Sequence, residues 1–273
     1  SIADTLQIFG LGEEKDNHEN DAACMTALIR DLDRHREGNV FVVFLESTHF
    51  GYSWPQNENY NPAPATMDYL KLTCSNEQIE GVKSRYRNAT HFIDGLFGKF
   101  FEKMKSLPTN KESVVVITGD HGEEFFEEGR IFHASNLSSM QTHVPIYYRL
   151  GSKSVNGGEN LSSHLDIFPT LLHHVFGKDL FEHWFDGESI LRPRKKHFAI
   201  TTRINWSRDP YEFLIYTGEN QLIVRFANRS NISKSPTLQI VSYRDKNGAP
   251  LKIDVDQIRE QFKEALDSLF ITD

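Results

Sequence analysis

The sequence predicts an α/β protein in which a mostly parallel central sheet is followed by a small antiparallel β meander and a terminal helix. Helical and strand-like patterns alternate up to about residue 195, as they do in α/β folds. The apolar runs 40–45 and 114–117 are uninterrupted, which is typical of strands buried on both faces of a parallel sheet. After Lys195, short strand-like runs follow one another without helices between them, and this pattern indicates antiparallel pairing.

The first helix is predicted from Asp21, with Asn20 or Asp21 as its N-cap, because apolar residues recur there at helical spacing. These residues are Met25, Leu28, Ile29 and Leu32. The apolar run 40–45 is the first predicted strand, and a polar loop follows it. A long helix or a pair of helices is predicted over about 76–104, and the next buried strand over 113–118.

The second part of the chain is predicted to contain one more short strand and one more helix before the meander. The strand covers 144–148, and the helix begins near Ser163. Four short runs and an amphipathic helix then complete the chain; the runs are 197–202, 212–216, 221–226 and 237–243. We therefore divide the chain into an α/β core over 1–195 and an antiparallel β subdomain with the final helix over 196–273, packed on the core.

Composition narrows the possible partners. The net charge is −8, which argues against a general nucleic-acid surface. No apolar stretch in the sequence is long enough to cross a membrane. The two cysteines, Cys24 and Cys74, could pair in an oxidising compartment or remain buried thiols.

A carboxylate and an imidazole stand directly after the strand at 114–117. The run ends in Thr-Gly-Asp120-His121-Gly, where two glycines allow a turn and a close approach to a ligand. Ligands of open α/β sheets bind beyond the carboxyl ends of the strands, and this donor pair suits a divalent metal. From the pair alone, a turn aspartate beside a surface histidine is an equally good interpretation.

Histidines also occur in two further loops. His49 follows the strand at 40–45, and His133 lies twelve positions after His121. Loops at one sheet edge converge, so we expect these histidines to share a pocket with Asp120. Imidazoles around a metal would polarise a phosphoryl or sulfuryl oxygen. The pair Glu123 and Glu124 is expected in a solvated or helix-starting stretch.

Four motifs in this order resemble those of the alkaline phosphatase/sulfatase superfamily. They are Ser47-Thr-His49-Phe-Gly-Tyr52, Ile117-Thr-Gly-Asp120-His121-Gly-Glu-Glu-Phe125 with His133 after it, Ser163-His-Leu-Asp166-Ile-Phe-Pro-Thr-Leu-Leu172, and Asp186-Gly-Glu-Ser-Ile-Leu191. The resemblance is closest to the branch of lipoteichoic-acid synthases, phosphoethanolamine transferases and membrane-anchored YejM/PbgA-type proteins. It implies a three-layer α/β/α sandwich with a mostly parallel central sheet.

The resemblance also implies roles for individual residues. Asp120 and His121 would be metal ligands, with Zn or Mn favoured over Mg or Ca. His49 and His133 would act in catalysis by positioning the phosphoryl or sulfuryl group. Trp54 would either form part of the substrate wall or anchor its loop. Asp166 would tie a loop to the start of a helix.

The sequence departs from the family pattern before its first motif. Family members begin with a strand that ends in an acidic ligand, followed by a Thr, Ser or formylglycine nucleophile, and neither is recognisable here. We expect the chain to be the carboxy-terminal part of a longer protein, anchored in the membrane through its missing amino-terminal region.

The functional expectation follows from this resemblance. The protein would be a metal-dependent phosphoric or sulfuric ester hydrolase, or a phosphotransferase, that acts on a phospholipid or another phosphate or sulfate ester. It would work on the periplasmic or extracellular face of the cytoplasmic membrane. The alternative is a catalytically inactive sulfatase-like domain that binds a lipid or a protein.

Overall fold

The computed structural model describes residues 16–34, 38–155, 161–177, 184–204, 210–226 and 238–269. The chain is divided into two compact units. Unit 1 comprises residues 1–113 and 125–132, and unit 2 comprises residues 114–124 and 133–273. The boundary near residue 195 stays a prediction. None of the described helices is both long and apolar enough to cross a membrane.

Unit 1 contains two α-helices that pack against each other. They are α1, Asn17–Asp31, and α2, Asn76–Ser106. Short 3₁₀ turns precede and follow α2 at Tyr69–Lys71 and Pro108–Lys111. The Ser75 hydroxyl caps α2 by accepting a hydrogen bond from the backbone N–H of Gln78. The predicted long helix is therefore a single helix.

The first helix begins earlier than its apolar spacing suggests. Asp16 is its N-cap, and Glu19 accepts a hydrogen bond from the Asp16 backbone N–H. The predicted cap Asp21 is instead buried inside the helix. Its carboxylate accepts hydrogen bonds from the backbone N–H groups of Glu46 and Ser47 and from the Ser47 hydroxyl. The residue that looked like a local cap thus makes a long-range contact.

The apolar run 40–45 is not a strand in the structure. It has no regular secondary structure, and Val40, Val42 and Phe44 are 88%, 90% and 68% exposed. The predicted strand is wrong because a buried strand needs neighbours on both edges. The described strands do not pair with this run.

The core of unit 1 is aromatic. Tyr52, Val82 and Ala89 are buried at its centre. Partly buried side chains surround them: Met67, Tyr69, Leu72, Tyr86, Phe125, Ile131 and Phe132. The strands β2, Glu124–Phe125, and β3, Ile131–Phe132, pair as a two-stranded ribbon. Tilted and edge-to-face ring pairs within this cluster contribute beyond the burial of their area.

Polar side chains of α2 hold the loop over 51–65. The buried guanidinium of Arg85 donates to the backbone carbonyls of Gly51, Tyr52, Pro64 and Ala65. The Asn88 amide, which is 1% exposed, accepts from the Asn61 backbone N–H and donates to the Asn61 carbonyl. Because these bonds satisfy buried groups on both sides, the loop is tied to the helix along its length.

Unit 2 contains a three-stranded sheet in the order β1-β4-β5. The strands are β1, Val114–Thr118, β4, Ile146–Leu150, and β5, Lys153–Val155. Both pairings are antiparallel, whereas the sequence predicts a mostly parallel sheet. Between β1 and β4, the only helix is the four-residue α3, Ser139–Thr142, and parallel neighbours usually need a longer crossover helix. The α/β class itself is confirmed.

The predicted meander is confirmed. Four antiparallel strands lie in chain order: β6, Ala199–Ile204; β7, Pro210–Tyr216; β8, Asn220–Phe226; and β9, Leu238–Asp245. The final helix is divided into α5, Val255–Gln261, and α6, Lys263–Asp267. Ile258, Phe262 and Ala265 on these helices pack with Ile215, Leu222 and Val224 of the sheet in one apolar core.

Asp166 ties a loop to the start of a helix, as the resemblance implied. It ends the 3₁₀ turn His164–Asp166, which leads into α4, Ile167–Phe176. Its carboxylate is 1% exposed. It accepts hydrogen bonds from the backbone N–H groups of Ser163 and Glu188 and from the guanidinium of Arg194, at 2.7–2.8 Å. The role expected for Asp166 is confirmed.

Tyr148 in β4 makes the stability of the chain sensitive to alkaline pH. Burial raises the pKa of its phenol from 10.0 to about 12, the negative charge of Asp166 adds to the rise, and Thr170 opposes it. Because the folded chain holds this proton more tightly than the unfolded chain, the stabilisation is complete below pH 10. It is lost as the pH rises towards 12.

We therefore expect Tyr148→Phe to lose less thermal stability than the unmodified chain between pH 10 and pH 12. The measurement is the thermal midpoint by calorimetry across this range. Tyr147→Phe is the matched control because Tyr147 lies on the same strand and is 42% exposed. Equally steep losses in the Tyr148→Phe and unmodified chains would contradict the prediction.

Candidate metal and anion site

The candidate site begins where β1 ends. Asp120 is exposed, and one of its carboxylate oxygens accepts a hydrogen bond from the His121 backbone N–H at 3.0 Å. The other oxygen lies 3.7 Å from His121 Nε2. The two side chains therefore present an oxygen and a nitrogen close together at the end of the strand.

The hydrogen bond at the other nitrogen of His121 determines which tautomer is present. His121 Nδ1 lies 3.1 Å from the carbonyl oxygen of Gly122. A carbonyl oxygen only accepts hydrogen bonds, so Nδ1 carries the proton in this contact. Nε2 of the neutral ring then keeps its lone pair and faces the Asp120 carboxylate, which is the arrangement found in metal-binding histidines.

His133 lies beside this pair and is held by Glu123. His133 Nδ1 is 2.5 Å from Glu123 Oε1. This hydrogen bond raises the pKa of His133, burial opposes the rise, and the charges of Glu123 and Asp120 add to it. The environment thus favours the imidazolium form, whose Nε2–H can donate to an anion.

The donor atoms around His121 fit a divalent metal. The rings of His121 and His133 stack with centroids 3.9 Å apart. Ligand atoms of His121, Glu123 and His133 lie within 4.8 Å of one another. Imidazoles with carboxylates suit Zn or Mn better than Ca, which takes oxygen ligands alone. Asp120 and His121 therefore offer donor atoms that fit a divalent metal, whereas Glu123 and His133 are hydrogen-bonded to each other.

The two glutamates of this loop were not among the predicted site residues. Side-chain exposure is 5% for Glu123, and Glu124 is wholly buried, so the expectation of a solvated stretch is wrong. Their donors come from residues ten to seventeen positions further along the chain. The apolar residues on either side of the turn at Gly129 indicate a hairpin, but no local pattern marks the two glutamates as buried.

The backbone around His133 is unusual. Phe132 and Ala134, its two chain neighbours, have positive φ angles of 69° and 57°. Non-glycine residues incur a steric cost in this region, and such residues are enriched at functional sites. The loop can hold this conformation only if its surroundings stabilise it.

The other two predicted site residues lie in unit 1. His49 is exposed, its ring lies 5.0 Å from that of Phe50, and its carbonyl accepts from the Tyr52 backbone N–H. Trp54 is 1% exposed, donates from Nε1 to Asn59 and lies under the Arg85 guanidinium. These are the contacts of a loop anchor. The shared pocket of His49 with Asp120, His121 and His133 stays a prediction.

Comparisons with known proteins match one family model and two sequence relatives. The sulfatase family model matches residues 11–178. The low-salt glycan biosynthesis sulfotransferase Agl7 of Haloferax volcanii is 28% identical over 167 residues, which cover 56% of this chain and 39% of that protein. Arylsulfatase K of Canis lupus familiaris is 24% identical over 124 residues, which cover 44% of this chain and 23% of that protein.

Solved structures share the fold at low sequence identity. The putative sulfatase yidJ of Bacteroides fragilis is similar with a TM-score of 0.59 and 15% identity, over 94% of this chain and 57% of that one. The phosphonate monoester hydrolase of Agrobacterium radiobacter is similar with a TM-score of 0.53 and 16% identity, over 72% of this chain and 42% of that one. The chain thus spans well under two thirds of the length of these relatives.

Proposed function

The chain belongs to the sulfatase family of the alkaline phosphatase/sulfatase superfamily, and from this premise we propose that its site binds a sulfuric or phosphoric ester together with a divalent metal. The reaction would be hydrolysis of the ester or transfer of its sulfuryl or phosphoryl group. The observation that carries the proposal is the arrangement at the end of β1, where Asp120 and His121 face each other beside a His133 held by Glu123.

Each residue of this arrangement has a role in the proposal. Asp120 and His121 would hold the metal, which would supply positive charge to a sulfuryl or phosphoryl oxygen. His133 would donate a hydrogen bond to an oxygen of the ester from Nε2, and Glu123 would orient its ring. His49 would contact the same group of the substrate, and Trp54 would anchor the loop that carries it.

We extend the proposal to the substrate class and the compartment. Two of the four motifs, those around His49 and Asp120, resemble those of synthases and transferases that act on lipid-linked and envelope substrates, so we propose a lipid-linked or envelope ester on the periplasmic or extracellular face of the cytoplasmic membrane. The matched relative from Haloferax volcanii is named as a sulfotransferase of glycan biosynthesis, which supports a saccharide ester as a further candidate substrate.

A second candidate is a binding domain without turnover. Thr118, the hydroxyl residue nearest to Asp120 along the chain, is already engaged: its hydroxyl lies 3.1 Å from the carbonyl oxygens of both Gly119 and Pro145 and shares its one proton between them. A hydroxyl that acts as a nucleophile must be able to give up its proton to a base. These contacts favour a domain that binds the ester or its anion through the same residues.

Removing the metal and adding it back distinguishes the metal-dependent enzyme from the binding domain. The purified chain is stripped with a chelator and titrated with Zn²⁺ and with Mn²⁺ by calorimetry. Hydrolysis of 4-nitrophenyl sulfate, 4-nitrophenyl phosphate and a phenylphosphonate ester is then measured with and without the metal. We expect one bound metal ion per chain, and we expect any ester hydrolysis to appear only with the metal.

Each other outcome decides between the proposals. Binding of the metal and of inorganic sulfate without hydrolysis of any ester would support the binding domain over the enzyme. Absence of metal binding by the folded chain would overturn both.

A further inference from the structure

We infer that Gln141 is a positioning residue, which holds the loop carrying His133 against the loop carrying Glu123. The inference rests on the proposed function, because it assigns to Gln141 the support of the residue that binds the anion. It adds a residue that no motif in the sequence marks. The side-chain contact between Glu123 and His133 joins two loops, and α3 contacts both of them through Gln141.

The side-chain amide of Gln141 is fully used. Its Oε1 accepts from the backbone N–H groups of Ser135 and Asn136 at 3.2 and 3.5 Å. Its Nε2 donates to Ser135 Oγ at 2.8 Å and to Glu124 Oε2 at 3.0 Å. An amide offers two acceptor positions and two donors, so one side chain reaches both loops: Ser135 is two residues after His133, and Glu124 directly follows Glu123.

Glu124 makes this link costly to break. Its side chain is wholly buried. Besides Gln141, Asn136 Nδ2 and Ser138 Oγ donate to the same carboxylate oxygen at 3.0 and 2.8 Å. A buried carboxylate that loses one of its donors is left partly unsatisfied, and it will shift or draw in water to compensate.

The backbone of α3 contacts the first loop directly. The Gly122 backbone N–H donates to the Gln141 carbonyl at 3.0 Å. A Cβ at position 122 would lie 2.1 Å from the carbonyl oxygen of Met140, so the loop and α3 meet without space for a side chain. Gln141 therefore contacts the loop of Glu123 through its carbonyl and the loop of His133 through its amide.

The backbone of the second loop requires such support. Ala134 and Phe132 keep positive φ angles on either side of His133, and strained residues persist only where their surroundings impose the conformation. The two hydrogen bonds from Ser135 and Asn136 to Gln141 Oε1 follow immediately after this strained segment. Without them, we expect the His133 ring to lose its fixed position relative to Glu123.

The test compares Gln141→Met with the unmodified chain in two measurements. The first is the affinity for inorganic sulfate by calorimetry, which we expect to fall by about 10-fold or more, by analogy with the loss of metal affinity when an outer partner of a metal ligand is removed. The second is the NMR signal of the His133 Nδ1 proton in the Glu123 hydrogen bond, which we expect to broaden or disappear.

Gln221→Met is the matched control. Gln141 and Gln221 are each 5% exposed, and the Gln221 amide donates to Ser139 Oγ and to the Lys246 carbonyl rather than to either loop. We expect Gln221→Met to lower the thermal midpoint by a similar amount, while sulfate affinity and the His133 signal stay as in the unmodified chain. If Gln141→Met does not fold, Glu124→Gln, which keeps the volume, replaces it in both measurements.

The two measurements also separate this inference from the proposed function. An unmodified chain that binds no sulfate would overturn the proposed function, and the NMR signal would still test the role of Gln141. Unchanged affinity and an unchanged signal in Gln141→Met, or equal losses in both glutamine variants, would show that Gln141 does not position His133.

Discussion

In Asp120→Ala, the affinity of the chain for Zn²⁺ or Mn²⁺ should fall by more than about 100-fold, because removal of even an outer partner of a metal ligand costs 10–100-fold. The carboxylate faces His121 Nε2 at 3.7 Å, and its loss leaves the imidazole without the nearest oxygen donor. Asp120 is exposed and makes a single hydrogen bond to the neighbouring backbone, so the thermal midpoint of the metal-free chain should hardly change. Calorimetric titration of the stripped chain gives the affinity.

Asp267→Ala is the control for charge. Asp267 is exposed in α6, and its replacement changes the net charge by the same amount without touching the site. We expect its metal affinity to match that of the unmodified chain. If Asp120→Ala bound the metal as tightly as Asp267→Ala does, Asp120 would not be a ligand.

Replacement of Asp166 by alanine should lower the free energy of unfolding by roughly 3–5 kcal/mol, the range for removing one partner of a buried ion pair. The change leaves the mostly buried guanidinium of Arg194 without its carboxylate. It also leaves two backbone N–H groups, of Ser163 and Glu188, without their acceptor. Chemical denaturation followed by fluorescence measures the difference.

Glu102→Ala tests whether burial is the cause. Glu102 pairs with Lys105 at 2.7 Å, nearly the same distance as the Asp166–Arg194 pair, but both side chains are more than two thirds exposed. Exposed pairs contribute about 0–1 kcal/mol. Comparable losses in Glu102→Ala and Asp166→Ala would contradict our explanation of the Asp166 contacts.

The elements that the sequence predicts well are those whose signal is local. The strand at 113–118 and the meander after residue 195 follow from short apolar runs and turn residues, and the long helix from periodic apolar positions. The run 40–45 carries the same strand signal, yet it is mostly exposed. The wrong strand prediction for this run shows that an apolar run forms a strand only where other strands lie beside it.

The candidate site shows the same limit. Asp120, His121 and His133 could be selected because strand ends and family motifs mark them. Glu123 and Glu124 could not, since their burial depends on partners at positions 133–141 that no local pattern relates to them. Long-range contacts also decide the role of Asp21, which holds the loop at 46–47 rather than capping its helix.

The buried amide of Asn88 has a consequence for production of the chain in a secretory host. Asn88-Ala-Thr90 is an N-glycosylation sequon, but both polar atoms of its amide are bonded to Asn61 inside the fold. A glycan attached to Asn88 during synthesis would prevent that packing. Chains glycosylated at this position would therefore misfold. Removal of the sequon at the exposed Thr90, whose hydroxyl donates to the Tyr86 carbonyl of its own helix, leaves the Asn88–Asn61 pair intact.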